Sequence, residues 1–253
     1  IKKHKRLHIL INHAHYKGNS KKLEPRQAFF NKLEQYPTKE WQKTLATNLD
    51  GLFFITKHFI SLLTKNKKSV ILNTSSTYGK VSPNKNIYGK SGINSPIGYA
   101  TSKFAIIGFT KYIAAHYGDV GLRANILIPG GVENKNQSSE FKKRYKELTP
   151  LKRLAKKKEY KESILFLVSD ASSYMTGSEF VIDGGWTAWW MLNICIIGKG
   201  SIGKRHAKIY KKLGYNVFFL RSSKKKLKKS EKNNFKELYS FKDLKKINFK
   251  LYL

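Results

Sequence analysis

The sequence predicts an α/β fold built on a parallel sheet. Three short runs of apolar and β-branched residues, at residues 9–11, 70–72 and 122–128, are typical of buried parallel strands. Polar or turn-forming residues follow these runs, at Asn12, at residues 73–76 and at residues 129–131. Because open α/β sheets bind ligands beyond the carboxyl ends of their strands, we expect a functional site there.

Helical segments are predicted between these strands. Residues 40–64 predict a long helix whose apolar face includes Leu45, Leu49, Phe53 and Ile60. Residues 99–117 predict a second helix, residues 141–158 form a polar and basic segment, and residues 161–168 begin the helix before the last strand. Alternation of strands and helices is the pattern of βαβ units.

Tyr99 and Lys103 are four residues apart and therefore share one face of the second helix. A phenol with its ordinary pKa of about 10 exchanges protons poorly at neutral pH, whereas a nearby ammonium favours the phenolate. We therefore expect Lys103 to lower the pKa of Tyr99. Such a pair can move a proton to or from an alcohol or ketone oxygen. The alternative interpretation is an ordinary amphipathic helix.

Five motifs, taken in order, resemble the short-chain dehydrogenase/reductase family over residues 5–190. They are Asn12-x-Ala14 after a strand, Asn48 in a helix, Asn73-Thr74-Ser75-Ser76, Tyr99-x-x-x-Lys103, and Pro129-Gly130 followed by Asp183-Gly184-Gly185. The resemblance implies a Rossmann-like, doubly wound parallel sheet and an NAD or NADP cofactor. It also implies hydride transfer on a small alcohol or ketone substrate, either sugar-derived or 3-oxoacyl.

The resemblance also implies site residues. Tyr99 would be the general acid/base, Lys103 would lower its pKa and bind the nicotinamide ribose, and Ser76 would hold the substrate carbonyl. Asn48 would bind a water that links Lys103 to solvent. The implied cofactor-binding residues are Asn12, Ala14, Thr74, Tyr99, Lys103, Pro129, Gly130 and Val132. Ser75 is an alternative to Ser76. Ser76 could instead be a helix N-cap, and Asn48 a solvated helix residue.

The chain departs from the family pattern in several places. His15 stands where the family has glycine, so we expect a different approach of the cofactor there. No metal site is predicted, because no cysteine or carboxylate accompanies His13 and His15 at ligand spacing. The segment from residue 76 to residue 99 is longer than is usual in the family, and its composition predicts a polar loop on the substrate side. No Gly-rich turn precedes Asn12, so we expect that the sheet is incomplete and lacks the family's N-terminal βαβ unit.

A second nucleotide motif follows. An apolar run at residues 191–197 leads into Gly198-Lys199-Gly200-Ser201-Ile202-Gly203, a helical segment at 204–214 and a second strand at 215–220. In this position Gly-x-Gly-x-x-Gly predicts a phosphate-binding turn at a helix N-terminus, although a Gly-rich turn without ligand is the alternative. Residues 191–222 resemble the start of the glucose-fructose oxidoreductase/inositol dehydrogenase-like family. The predicted cofactor residues are Gly198, Gly200, Ser201, Ile202, Gly203, Arg221 and Ser222.

Arg221 and Ser222 stand where an acidic residue would accept a ribose hydroxyl, and this favours the 2′-phosphate of NADP. We therefore predict two domains, a dehydrogenase domain at 1–190 and a partial βαβ unit with a basic tail at 191–253. Because no linker separates them, we expect two joined reading frames, each truncated at its outer end; independent sequencing of the DNA across the junction tests this. Alternatively, the second unit docks beside the first strand.

Composition limits the remaining possibilities. The net charge is +34 over 253 residues, but lysine is scattered through both segments, and residues 224–229 read as a solvated run. We therefore expect no specific nucleic-acid partner. The single cysteine, Cys195, favours a reducing cytoplasm, and no apolar run approaches the roughly 20 residues of a membrane span. The family resemblance implies a homodimer or homotetramer. The alternative functions are a noncatalytic nucleotide-binding or basic binding module, or an inactive fused fragment.

Overall fold

The computed structural model describes residues 5–18, 28–89, 95–135, 137–189, 193–212, 216–221 and 235–240. The chain divides into two compact units, Ile1–Thr187 and Ala188–Leu253, and each is described by itself.

The first unit contains a four-stranded parallel sheet in the order β1-β2-β3-β4. The strands are β1 (Ile9–Asn12), β2 (Ser69–Thr74), β3 (Leu122–Pro129) and β4 (Glu179–Ile182). All six residues of β2 are buried, as expected for a strand between two others. The α/β prediction, with an incomplete Rossmann-like parallel sheet, is confirmed.

Among the described residues, five α-helices connect and cover these strands: α1 (Thr38–Leu45), α2 (Gly51–Leu63), α3 (Ile97–Tyr117), α4 (Ser139–Leu148) and α5 (Lys161–Val168). Short 3₁₀ turns lie at Thr77–Gly79 and Lys85–Tyr88, between β2 and α3. Over the residues described, no helix is both long and apolar enough to cross a membrane.

The predicted single helix at 40–64 is instead two α-helices joined by a π-helical turn, Ala46–Asp50. Its buried face consists of Thr44, Asn48, Leu52 and Thr56. Phe53, on the predicted apolar face, is instead 44% exposed. Polar side chains replace apolar ones on this face because they find hydrogen-bond partners there: Thr44 Oγ1, for example, donates to the Glu40 carbonyl at 2.7 Å.

Helices cover both faces of the sheet, as a doubly wound arrangement requires. Leu63 of α2 and Ile113 of α3 pack with Ile71 and Leu122 in one core cluster. Leu167 of α5 packs with Leu72 and Leu127 in another. Neighbouring residues of β2 therefore face opposite layers, which is what the two-residue period of a strand dictates.

The described residues of the second unit form a small three-stranded parallel sheet in the order β5-β6-β7 and a helix. Its elements are β5 (Asn193–Ile197), α6 (Ser201–Lys212), β6 (Asn216–Leu220) and β7 (Lys236–Leu238). Ala207 of α6 packs on Val217 and Phe219 of β6. Parts of the predicted segments at 191–192, 213–215 and 222–229 lie outside the described residues.

Candidate functional site

Polar side chains form a connected network where β1 and β2 end. Asn12 Nδ2 donates to Asn73 Oδ1 at 2.8 Å, and Asn73 Nδ2 donates to Thr110 Oγ1 of α3 at 2.9 Å. His13 Nδ1 lies 3.0 Å from Thr74 Oγ1. The parallel register places Asn12 opposite Asn73. The carboxyl end of the sheet is thus tied to α3, the helix that carries Tyr99 and Lys103.

Lys103 is buried, with 2% of its surface exposed. Its Nζ donates to the Thr74 carbonyl at 2.9 Å and lies 5.6 Å from the centroid of the Tyr99 ring. Burial lowers the pKa of Lys103 to about 8, and the charge of Lys17 acts in the same direction. The helical spacing therefore delivers an ammonium to the carboxyl end of β2.

The pKa of Tyr99 moves in the opposite direction to the one predicted from the sequence. Burial raises the pKa of the Tyr99 phenol, a hydrogen bond with Ser76 lowers it, and the nearby Tyr88 phenol raises it again. Desolvation disfavours the phenolate more strongly than its surroundings favour it. The prediction that Lys103 lowers this pKa is therefore wrong for the present arrangement, in which Tyr99 is a neutral phenol.

The two candidate serines have different surroundings. Ser75 Oγ donates to the Lys103 carbonyl at 2.7 Å and so fastens the 3₁₀ turn to α3. Ser76 lies close enough to the Tyr99 hydroxyl to lower its pKa, and it also caps the turn Thr77–Gly79, because its Oγ accepts from the Tyr78 amide at 3.2 Å. Ser76 is therefore both an N-cap and the serine that meets Tyr99.

Asn48 is buried inside the π-helical turn. Its Oδ1 accepts from the Tyr16 amide at 2.6 Å, while its Nδ2 donates to the Tyr16 carbonyl at 3.1 Å and to Ser102 Oγ at 2.9 Å. Ser102 Oγ in turn donates to the Tyr99 carbonyl at 2.8 Å. Asn48 thus links the segment after β1 to the helix of Tyr99, and it is not a solvated helix residue. π-Helical turns are frequent at functional sites.

His15 stands next to Tyr99. The two rings meet edge to face with their centroids 6.2 Å apart, and His15 Nδ1 donates to the His13 carbonyl at 3.2 Å. Burial lowers the pKa of His15; the bond to His13 opposes that shift, while the Lys103 charge adds to it. Among the described residues, no group of three or more metal-ligating side chains comes together.

The turn after β3 is tightly packed. Gly130 donates its amide to the Ile182 carbonyl at 2.8 Å, and a Cβ at Gly130 would lie 2.7 Å from the Asp183 Cα. Val132 forms an isolated bridge with Ala155. Pro129 and Gly130 are therefore held at the carboxyl end of the sheet beside β4, at the same edge as Asn12 and Thr74. Ala14 lies in the exposed segment after β1.

Sequence reasoning did not identify the aromatic residues beside this site. Tyr78 and Tyr88 join a cluster that includes Phe141, Tyr145 and Trp186. The Tyr145 and Trp186 rings stack with centroids 4.3 Å apart, and Tyr145 Oη accepts from the Gly131 amide at 2.6 Å. The sequence signal for Tyr78 and Tyr88 was the unusual length of the segment between Ser76 and Tyr99. Part of that segment, residues 90–94, lies outside the described residues.

The second unit places its Gly-rich turn between β5 and α6. Gly198 has φ +88°, and its amide donates to the Leu220 carbonyl at 3.0 Å. A Cβ at Gly203 would lie 2.6 Å from the Gly198 oxygen, whereas one at Gly200 would meet no atom of the described residues within 4 Å beyond its chain neighbours. Ser201 and Ile202 begin α6 and are exposed. Ser222 lies outside the described residues.

Glu237 of β7 was also missed by sequence reasoning. Its carboxylate binds Lys199 Nζ at 2.5 Å, Arg221 Nη1 at 3.0 Å and the Tyr239 hydroxyl at 2.9 Å. Burial alone would raise the pKa of Glu237, but these three hydrogen bonds lower it to about 2. Arg221 therefore shares a carboxylate with Lys199 at the carboxyl end of this sheet.

Comparison with known proteins agrees with this arrangement. A family model described as enoyl-(acyl carrier protein) reductase matches residues 1–187. An uncharacterised oxidoreductase of Thermotoga maritima is 31% identical over 72% of this chain and 68% of its own length. The chain belongs to the short-chain dehydrogenase/reductase family.

Two further relatives are similar to this chain, one in sequence and one of known structure. A 3-alpha-(or 20-beta)-hydroxysteroid dehydrogenase of Mycobacterium tuberculosis is 32% identical over 72% of this chain and 61% of its own. The crystal structure of a short-chain dehydrogenase from Leptospira borgpetersenii with bound NAD+ is 35% identical, with a TM-score of 0.62 over 71% of this chain and 64% of that one. The chain therefore spans 61–68% of the length of these three relatives.

The buried ammonium of Lys103 predicts a pH-dependent stability. Its folded pKa of about 8 lies below the ordinary 10.5, so the unfolded chain binds this proton more tightly. The free energy of unfolding should then rise with pH between about 8 and 10.5, relative to the same measurement on Lys103→Met. Urea unfolding at a series of pH values measures this difference. Lys68→Met, whose parent side chain is 80% exposed, should show no such trend. A flat or falling difference for Lys103→Met would contradict the burial argument.

Proposed function

We propose that the first unit is an NAD(P)-dependent oxidoreductase that interconverts an alcohol and a ketone. Tyr99 is the general acid/base in this proposal, Ser76 holds the substrate oxygen, and Lys103 binds the cofactor ribose. The observation that carries the proposal is the position of the Ser76 hydroxyl, close enough to the Tyr99 hydroxyl to lower its pKa, in the same buried site as the Lys103 ammonium. Two neighbouring hydroxyls can both reach a single substrate oxygen.

The residues present suit a dinucleotide. An ammonium carries three N–H donors, and among the described residues the Thr74 carbonyl takes one of those of Lys103. The others suit the hydroxyls of a ribose. We assign the cofactor to the carboxyl edge of the sheet, where Asn12, Ala14, Thr74, Pro129, Gly130 and Val132 lie. Bound there, NAD or NADP would supply or accept the hydride; the Leptospira relative, with its NAD+, supports this class of cofactor.

The chain's own residues handle the proton. Because Tyr99 is a neutral phenol in this arrangement, it is ready to donate a proton to a ketone oxygen as the oxygen gains charge. Ser76 stabilises the same charge by a second hydrogen bond. Asn48 acts here as a positioning residue through Tyr16 and Ser102, and its predicted water stays a prediction.

Tyr99→Phe tests the catalytic role. Removal of the hydroxyl should lower turnover by roughly 10²- to 10⁴-fold, the usual contribution of general acid/base catalysis. Turnover is followed by the absorbance of the reduced nicotinamide. Tyr112→Phe, on the same helix but 57% exposed, is the matched control and should retain activity. Full turnover in Tyr99→Phe would refute the role. Cofactor binding without any turnover in the wild type would favour a noncatalytic nucleotide-binding module.

We further propose that residues 191–253 begin a separate dinucleotide-binding unit of the glucose-fructose oxidoreductase/inositol dehydrogenase-like kind. The positive φ of Gly198 and the close contact at Gly203 support it, because both glycines are required by the turn that leads into α6. Lys199 and Arg221 surround one carboxylate and leave a net positive charge, which favours NADP over NAD. Ser222 belongs to this assignment by its position in the sequence.

Gly200→Ala tests this second site. Apart from its chain neighbours, no atom of the described residues lies within 4 Å of the added Cβ, so the chain should fold unchanged while the methyl group obstructs a pyrophosphate on the turn. In NADPH titrations followed by fluorescence, the variant should lose one binding component. Gly108→Ala, equally open but in α3 of the first unit, should not. Identical titration curves for wild type and Gly200→Ala would rule out nucleotide binding at this turn.

We also propose that the first unit assembles as a homodimer or homotetramer through α2 and α3, in the reducing cytoplasm that the free thiol of Cys195 suits. Exposed apolar side chains on these helices support the assembly: Phe53, Phe54 and Ile55 on α2, and Phe104 and Tyr112 on α3. Solvated apolar patches of this kind are typical of interaction surfaces.

Sedimentation velocity tests the assembly. The wild type should sediment as a dimer or larger, and Phe54→Glu should shift it toward monomer, because 62% of Phe54 is exposed and a buried charge at an interface is costly. Leu33→Glu, at a site that is 71% exposed but outside both helices, should leave the assembly intact. A monomeric wild type would contradict the proposal.

A further inference from the structure

The described part of the segment between Ser76 and α3 packs against the rest of the first unit. Ile87, in the 3₁₀ turn Lys85–Tyr88, is fully buried. Gly89 follows with φ +58°, and a Cβ there would collide with the Glu140 carboxylate of α4. Glu140 itself is held by Arg144 Nη2 at 2.8 Å. The turn that carries Tyr88 is therefore packed directly against α4.

This packing brings phenol hydroxyls to the Tyr99 site. The hydroxyl oxygens of Tyr78 and Tyr88 lie 3.5 Å apart, and Tyr88 also bonds with Ser95. Tyr78 follows Ser76 by two residues and donates its amide to the Ser76 hydroxyl. Tyr88 raises the pKa of Tyr99, and Tyr99 raises that of Tyr78, so the three phenols belong to one electrostatic cluster.

These hydroxyls suit substrate groups that both donate and accept hydrogen bonds. A phenol offers one donor and lone pairs, and a separation of 3.5 Å is at the long, weak limit of hydrogen bonding. Burial raises the pKa of both Tyr78 and Tyr88, so both hydroxyls stay protonated. A substrate hydroxyl that lies to the side of this pair, about 2.8 Å from each oxygen, would form two bonds that are shorter than the one they share.

The wall beyond the phenols is aromatic. The Tyr88 ring lies 5.7 Å from that of Phe141, which lies 5.7 Å from that of Tyr145, which stacks on Trp186. These rings belong to one apolar cluster. Flat apolar rings with a few placed hydroxyls are typical of small-molecule sites.

We infer that Tyr78 and Tyr88 form a hydroxyl-recognition site beside Tyr99, and that the substrate is a compound with several hydroxyl groups, a polyol or sugar. The inference rests on the proposed oxidoreductase function and names its substrate class. Of the two substrate classes considered, the phenols favour the hydroxylated one, because a 3-oxoacyl chain has no hydroxyl group that could bond with Tyr78 or Tyr88. A site built to bond a substrate hydroxyl rejects the analogue that lacks it, because its own polar groups are then left unpaired.

Calorimetric titration of the full chain without nucleotide tests this, because no hydride transfer can occur. Inositol and cyclohexanol share a six-membered ring and differ in their additional hydroxyls, and an acetoacetyl thioester serves as the acyl probe. The wild type should bind inositol more tightly than either of the others. Tyr88→Phe should weaken inositol binding by roughly five- to ten-fold and leave cyclohexanol binding within about two-fold. Tyr78→Phe should give the same selective loss.

Tyr174→Phe is the matched control, because Tyr174 is fully exposed and precedes β4 in the chain. This variant should bind inositol and cyclohexanol like the wild type. Equal loss for inositol and cyclohexanol in Tyr88→Phe, tighter binding of the thioester, or no inositol binding by the wild type would each overturn the inference. If the wild type binds inositol as expected but Tyr99→Phe retains full turnover, the catalytic proposal alone is refuted. The two failures are therefore distinguishable.

Discussion

The buried ammonium of Lys103 is the constraint on which the arrangement of the first unit depends. A charge with 2% exposure needs a polar partner, and the Thr74 carbonyl at the end of β2 provides it. The backbone carbonyl of Lys103 accepts a hydrogen bond from Ser75 Oγ, and a Cβ at Gly79 would collide with the same carbonyl. Side chain and main chain of Lys103 therefore fasten α3 to the strand end, and this fixes where Tyr99 meets Ser76.

Desolvation then decides the electrostatics of the site. It lowers the pKa of Lys103 and raises the pKa of Tyr99, so the two groups have a weaker tendency to carry charge than their free counterparts. The site without nucleotide is thus a cluster of neutral phenols and serine hydroxyls around one ammonium. Such a cluster binds and orients polar groups, and Tyr99 holds its proton until a substrate oxygen gains charge.

Regular elements were predictable from local pattern, whereas the geometry between them was not. The apolar runs indicated β2 and β3, and α5 begins where the sequence predicted, at Lys161. The π-helical turn at Asn48 was missed, because its buried residues are polar and satisfy each other through long-range hydrogen bonds. Tyr88 and Glu237 were missed for a similar reason, since each meets its partners only through tertiary packing. The direction of the Tyr99 pKa shift depends on burial, which spacing along a helix does not reveal.

The ionisation of Tyr99 itself is the most direct test. NMR titration of the chain labelled at the tyrosine ζ-carbon, with the Tyr99 resonance assigned by its loss in Tyr99→Phe, follows that hydroxyl in the absence of nucleotide. If burial controls the site, Tyr99 stays neutral above its usual pKa of 10.0, with or without Lys103→Met. Ionisation near neutral pH that disappears in Lys103→Met would contradict the account, because the ammonium and not desolvation would then govern the phenol.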